Sequence, residues 1–146
     1  MTDSSTIARR TGAPRGYETV LVVEDEAAVR GLMTRVLEQL GYTVRAVSSP
    51  AEAIAFADAG HPIDVILTDV MLPGMNGPAM IGELRARNLH PAVVYMSGHS
   101  PETIRRLDFL RPSTLFIRKP FTGNTLATVI RHALDTALPP IAMAEL

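Results

Sequence analysis

The chain has 146 residues, 47% apolar and 20% charged, which suits one compact domain and excludes a wholly disordered chain. A formal net charge of −1 provides no global basic field for nucleic acid or an anionic membrane, and the lack of Cys excludes disulfides, thiolate metal sites and cysteine nucleophiles. No apolar run approaches the roughly 18 residues of a membrane-spanning helix, and the polar opening Met1 to Arg15 is not followed by a signal-type apolar stretch. These features predict a cytoplasmic protein with no membrane insertion and no direct nucleic-acid binding.

Residues 1–16, with Ser4, Ser5, Thr6, Thr11, Gly12 and Pro14, read as a flexible leader. Thr19 to Val23 is a continuously apolar, β-branched run, the signature of a strand buried on both faces. From Glu26 to Leu40, Val29, Leu32, Met33, Val36, Leu37 and Leu40 recur at helical spacing, and Gly41 supplies a stop. A second strand follows over Tyr42 to Val47. Ser49, Pro50 and Glu52 form a capping signal for a helix that runs to about Ala59.

The third strand spans Ile63 to Val70 and carries Asp69 near its end. A loop with Pro73, Gly74, Asn76 and Gly77 leads to a helix over Pro78 to Arg87. Pro91 to Met96 is the fourth strand, Glu102 to Phe109 a short fourth helix, Thr114 to Arg118 the fifth strand and Asn124 to Ala137 the last helix. Residues 138–146 open on Pro139 and Pro140, which stop a helix, and form a short tail. The body, residues 17–137, thus alternates five strands with five helices. Such short intervals demand crossovers, so the sheet is parallel and covered on both faces, with ligands bound at the carboxyl edge.

Glu24 and Asp25, Asp69, Ser97 and Lys119 all fall at that edge, behind strands one, three, four and five. Three carboxylates so placed repel one another unless a cation sits among them, and an all-oxygen set suits Mg²⁺, with the backbone carbonyl of Met71 as a further neutral ligand. Lys119 is the only Lys in the chain; every other basic residue is Arg. A compact ammonium suits one oxygen of a phosphoryl group. The chemistry this implies is phosphoryl transfer to Asp69, with the cation, Lys119 and the Ser97 hydroxyl sharing the charge on the transferring group. The bland alternative is that Glu24 and Asp25 merely cap the first helix and Ser97 sits in an ordinary turn.

Four stretches resemble the receiver domain of two-component response regulators: Val20-Leu21-Val22-Val23-Glu24-Asp25-Glu26, Leu67-Thr68-Asp69-Val70-Met71-Leu72-Pro73-Gly74-Met75-Asn76-Gly77, Met96-Ser97-Gly98, and Phe116-Ile117-Arg118-Lys119-Pro120-Phe121. The longer opening Tyr17-Glu18-Thr19-Val20-Leu21-Val22-Val23-Glu24-Asp25-Glu26 and Tyr95-Met96-Ser97-Gly98-His99 look especially like receivers associated with hybrid sensor histidine kinases. The resemblance implies a flavodoxin-like α/β fold with strand order 2-1-3-4-5. It implies that Asp69 is the phosphoacceptor, that Glu24 and Asp25 bind the metal, and that Ser97 and Lys119 contact the phosphoryl group. By the same resemblance Phe116 is the aromatic switch residue, Pro120 the cis-proline and Gly77 the glycine that lets the loop turn.

The implied partner is a bacterial sensor histidine kinase or histidine phosphotransfer protein. Output is expected through the surface of the fourth helix, fifth strand and last helix, toward a downstream protein or a second copy. Arg105, Arg106, Arg118 and Arg131 give that surface a positive bias. Such a domain is not an enzyme in the ordinary sense, although it supports Mg²⁺-dependent self-phosphorylation from small phosphodonors and slow dephosphorylation. His61, His90, His99 and His132 have no ligand spacing, and the donor histidine belongs to another protein. A dehalogenase-type hydrolase needs an Asp where Met71 stands, and flavin phosphate would be repelled by Glu24-Asp25-Glu26. A receiver-like interaction or dimerisation module that is never phosphorylated is the remaining alternative.

Overall fold

A computed structural model describes residues 13–98 and 114–137. In chain order the elements are β1 (Thr19–Val23), α1 (Ala27–Gln39), β2 (Thr43–Val47), α2 (Pro50–Asp58), β3 (Val65–Asp69), α3 (Gly77–Ala86), β4 (Ala92–Ser97), β5 (Leu115–Arg118) and α4 (Gly123–Thr136). The five strands form one parallel sheet in the order β2-β1-β3-β4-β5. Four of the five expected helices lie among the described residues, and the expected helix over Glu102 to Phe109 falls outside them.

Alternate residues of a strand face opposite sides of a sheet, and the two cores follow that rule. Val20, Val22, Val65, Leu67, Val94 and Met96 pack against Met33 and Leu37 of α1 and Leu126 and Ile130 of α4. Leu21, Val23, Ile66 and Tyr95 pack on the other face against Ala53 of α2 and Met80, Ile81 and Leu84 of α3. Burying each large aliphatic side chain contributes about 1.5–3 kcal/mol, so a charge on either face of β1 or β3 would cost the fold.

Local signals set the helix ends. The Ser49 hydroxyl accepts from the Glu52 amide at 3.2 Å, and Glu52 reaches back to the amide and hydroxyl of Ser48 at 3.0 and 2.9 Å. Asn76 Oδ1 caps α3 through the Ala79 amide at 2.8 Å, and Thr122 caps α4 through the Thr125 amide at 3.1 Å. By contrast, α1 begins at Glu26 with no side-chain cap bond. Capping therefore does not explain Glu24 or Asp25.

Ala13 to Gly16, the last residues of the segment read as a leader, lie against the domain. Ala13 is buried, and the Gly16 amide donates to the Leu40 carbonyl at 3.1 Å. Gly41 meets this segment with φ of 106°, and a Cβ there would strike the Gly16 carbonyl. Arg131 of α4 secures the same corner by donating to Glu18 at 2.6 and 3.0 Å and to the Arg15 carbonyl at 3.3 Å. It also pairs with Asp135 at 2.9 Å. This corrects the reading of Arg131 as part of a positive output face, because its charge is already matched beside the start of β1. Arg118 is exposed, and Arg105 and Arg106 fall outside the described residues.

Candidate phosphoacceptor site

Sheet register places the acidic residues. Val23 of β1 pairs with Thr68 of β3, so Glu24 stands one step on beside Asp69. Thr68 pairs with Tyr95 of β4, and Ser97 ends that strand opposite Arg118 of β5, immediately before Lys119. The strands bearing Glu24 and Lys119 are three positions apart in the sheet, about 14 Å at the usual strand spacing. Two long side chains close that gap. Lys119 Nζ donates to Glu24 Oε1 at 3.0 Å and Oε2 at 3.2 Å, and it meets Asp69 Oδ1 at 2.7 Å. The Lys119 amide also donates to the Ser97 carbonyl at 2.8 Å, which ties the end of β5 to the end of β4.

Glu24 has 0% exposure and Asp69 6%, whereas Asp25 is exposed. Oxygen atoms of the three carboxylates lie within 4.8 Å of one another. Burial raises the Asp69 pKa above the ordinary aspartate value, and the Lys119 ammonium opposes that rise without cancelling it. The three carboxylates suit a hard divalent cation: all donors are oxygen, they are close enough to share one ion, and exposed Asp25 leaves the site open to solvent and to a phosphoryl oxygen. Mg²⁺ fits this donor set.

The loop after Asp69 has a tight steric requirement. The Gly77 amide donates to the Val70 carbonyl at 2.7 Å, and a Cβ on Gly77 would collide with the Asp69 carbonyl oxygen. Glycine is needed here for close approach rather than for a left-handed backbone. The Thr68 hydroxyl donates to that same Asp69 carbonyl at 3.0 Å. Lys119-Pro120 is cis, Ser97 is buried at 4% exposure, and Phe116 is half-buried on β5 against the α2–α3 core. Met71 is 49% exposed.

A model of the response regulator receiver domain matches residues 20–131. The chain belongs to the receiver family. It is 35% identical over 121 residues to the sensor kinase CckA of Brucella abortus, covering 82% of this chain and 13% of that protein. It is 36% identical over 117 residues to the transcriptional regulatory protein FixJ of Azorhizobium caulinodans, covering 79% of this chain and 54% of that one. Among solved structures, the receiver domain of the hybrid histidine kinase CckA superposes with a TM-score of 0.66 at 30% identity, covering 80% of this chain and 98% of the other. The receiver thus spans 13% to 54% of the length of these two curated relatives.

Two features of this receiver escaped the sequence reading. Arg30 Nη1 donates to the Glu24 carbonyl at 2.8 Å and to the Asp25 carbonyl at 3.4 Å. A signal existed: a basic residue near the start of a helix opposes the helix dipole and needs a compensating partner. The second is a groove of about 430 Å³ between α1 and the segment after β5, lined by Val29, Leu32, Met33, Phe121 and Leu126, with Lys119 on its wall. Its residues were legible as an apolar helix face, but not as an opening beside the site. His61 stacks on Phe56 with ring centroids 4.4 Å apart, while His90 and His132 are exposed. His99 lies outside the described residues.

Proposed function

We propose that Asp69 accepts a phosphoryl group from a histidine on a sensor kinase or histidine phosphotransfer protein. The observation that carries this reading is the Lys119 ammonium bridging Glu24 and Asp69 inside a three-carboxylate cluster. An Asp69 oxygen forms the new bond to phosphorus as the N–P bond of the phosphohistidine breaks, and the freed imidazole takes up a proton from solvent. Glu24, Asp25, Asp69 and the Met71 carbonyl would hold Mg²⁺, which would supply Lewis-acid neutralisation of the transferring group. Lys119 then exchanges part of its carboxylate contact for a phosphoryl oxygen, and the Ser97 hydroxyl takes another. No external substrate is turned over; the acyl phosphate is itself the signal.

The apolar groove suits docking of the histidine donor, a reading supported by Lys119, which lines the groove and touches Asp69. Leu32, 55% exposed, is the donor's natural anchor. We place the exchange in the cytoplasm; among the described residues no helix is long and apolar enough to cross a membrane. Phosphorylation adds charge and acceptor oxygens at Asp69. Movement of Ser97 toward them makes room for Phe116 to turn inward and biases the face around β5 and α4 that a downstream protein, or a second copy, reads.

The test is intact-mass spectrometry after incubation with acetyl phosphate and Mg²⁺, beside Asp69→Ala. One phosphoryl adduct that vanishes in the variant and in EDTA is expected. Absence of both the adduct and beryllofluoride binding in the wild type would sink the proposal in favour of a receiver-like interaction module.

A further inference from the structure

Glu24 is held by the sheet and by Lys119, but Asp25 is exposed and lies on a loop that α1 does not cap. The Glu24 amide donates to the Val47 carbonyl at 3.1 Å, anchoring the loop on its β2 side. On the helix side, the N-cap residue Glu26 makes no side-chain cap bond, and the first turn of α1 contains no acidic residue. The tie there comes from Arg30, one turn into α1, whose Nη1 reaches back to the Glu24 and Asp25 carbonyls at 2.8 and 3.4 Å. The Arg30 backbone amide joins the same turn by donating to the Glu26 carbonyl at 2.9 Å. One residue therefore fastens the loop to α1 through both its main chain and its guanidinium.

We propose that Arg30 is a positioning residue for the cation: its guanidinium fixes the two carbonyls and so sets the direction in which the Asp25 carboxylate leaves the loop. Groups that orient metal ligands without touching the metal typically change affinity by 10- to 100-fold when removed. The inference rests on the cation site described above and adds to it a residue outside the ligand set.

Charge and position make opposite forecasts, which gives the proposal a sign. Arg30 is a positive charge held against the backbone of two of the three acidic residues, Glu24 and Asp25. If electrostatics alone mattered, its removal would tighten binding of a divalent cation. If positioning matters more, removal weakens binding although the site becomes more negative.

The experiment is a Mg²⁺ titration of the wild type, Arg30→Met and Arg30→Lys, followed by calorimetry or amide NMR shifts, with urea midpoints measured on the metal-free proteins. Arg30→Met is expected to weaken Mg²⁺ binding about tenfold. Arg30→Lys, which keeps the charge and one donor, is expected to recover part of that loss. A merely structural role would lower the urea midpoint without changing the affinity of the folded protein. Unchanged or tighter Mg²⁺ binding by a folded Arg30→Met, with the wild type binding normally, overturns the role of Arg30 and leaves the acceptor assignment intact. If Arg30→Met does not fold, the same comparison is made on Arg30→Lys, and wild-type affinity there overturns it. A wild type that binds no Mg²⁺ overturns both.

Discussion

Replacing Lys119 by Met tests how the site is held together. Met keeps an unbranched chain of similar length and suits the apolar groove, so packing changes little while the ammonium is lost. Glu24 is left fully buried without its partner, and Asp69, with 9% of its side chain exposed, loses a 2.7 Å contact. Carboxylate oxygens within 4.8 Å repel by about 3 kcal/mol or more at an effective dielectric constant near 20. Breaking a buried ion pair by removing one partner typically costs about 3–5 kcal/mol. We therefore expect Lys119→Met to lose about 3–5 kcal/mol in urea unfolding at neutral pH in EDTA, with Tm falling by about 10 °C or more.

The sign of the pH dependence follows from Asp69. Burial already raises its folded pKa, and removing Lys119 raises it further. A carboxylate with a raised folded pKa destabilises the fold when ionised, so stability returns as pH falls toward that pKa. The deficit relative to wild type should thus be larger near pH 8 than near pH 5, should shrink in millimolar Mg²⁺, and should shrink again with Glu24→Gln. A deficit below about 1 kcal/mol in EDTA, or one independent of pH, would refute the argument that the ammonium neutralises a buried acidic cluster.

Three further outcomes are expected. Gly77→Ala should cost about 2 kcal/mol in urea unfolding and weaken Mg²⁺ binding, because the new methyl group displaces the Asp69 carbonyl; an unchanged midpoint would show that the loop yields freely. The Arg131 hydrogen bonds hold the Glu18 pKa down at about 2 from 4.5, so its stabilisation is present above about pH 4.5 and is lost as pH falls through about 2. The wild-type advantage over Glu18→Gln should be about 2 kcal/mol at pH 5 after discounting for solvent access and about half that at pH 3; a constant gap would contradict it. Met71→Asn should hasten loss of the acyl phosphate, since an amide can orient attacking water and a thioether cannot; decay of the phosphorylated mass peak reads this directly, and an unchanged rate would remove Met71 from the account.

What the sequence disclosed depended on range. The unbroken apolar run from Val20 to Val23 and the Ser49-Pro50-Glu52 signal are local, and both the buried central strand and the α2 start follow from them. Asp69 and Lys119 were legible because strand ends converge in any parallel sheet, and because a single ammonium in an Arg-rich chain stands out. Arg131 was misplaced because its partner Glu18 lies 113 positions away, and helix periodicity says nothing about which corner of the domain a residue meets. The position of Arg30 was visible, but its purpose was not. A guanidinium donating to backbone carbonyls leaves no complementary residue type in the sequence.

The Lys119–Glu24 contact joins residues 95 positions apart, with the strand that delivers Lys119 laid at the far end of the sheet. Pairings so distant in sequence form late, after the loop-closure entropy of the intervening chain has been overcome. The cluster is therefore completed last: a chain that stops short of β5 lacks the ammonium that meets both Glu24 and Asp69, and its buried carboxylates face one another with no internal counter-charge.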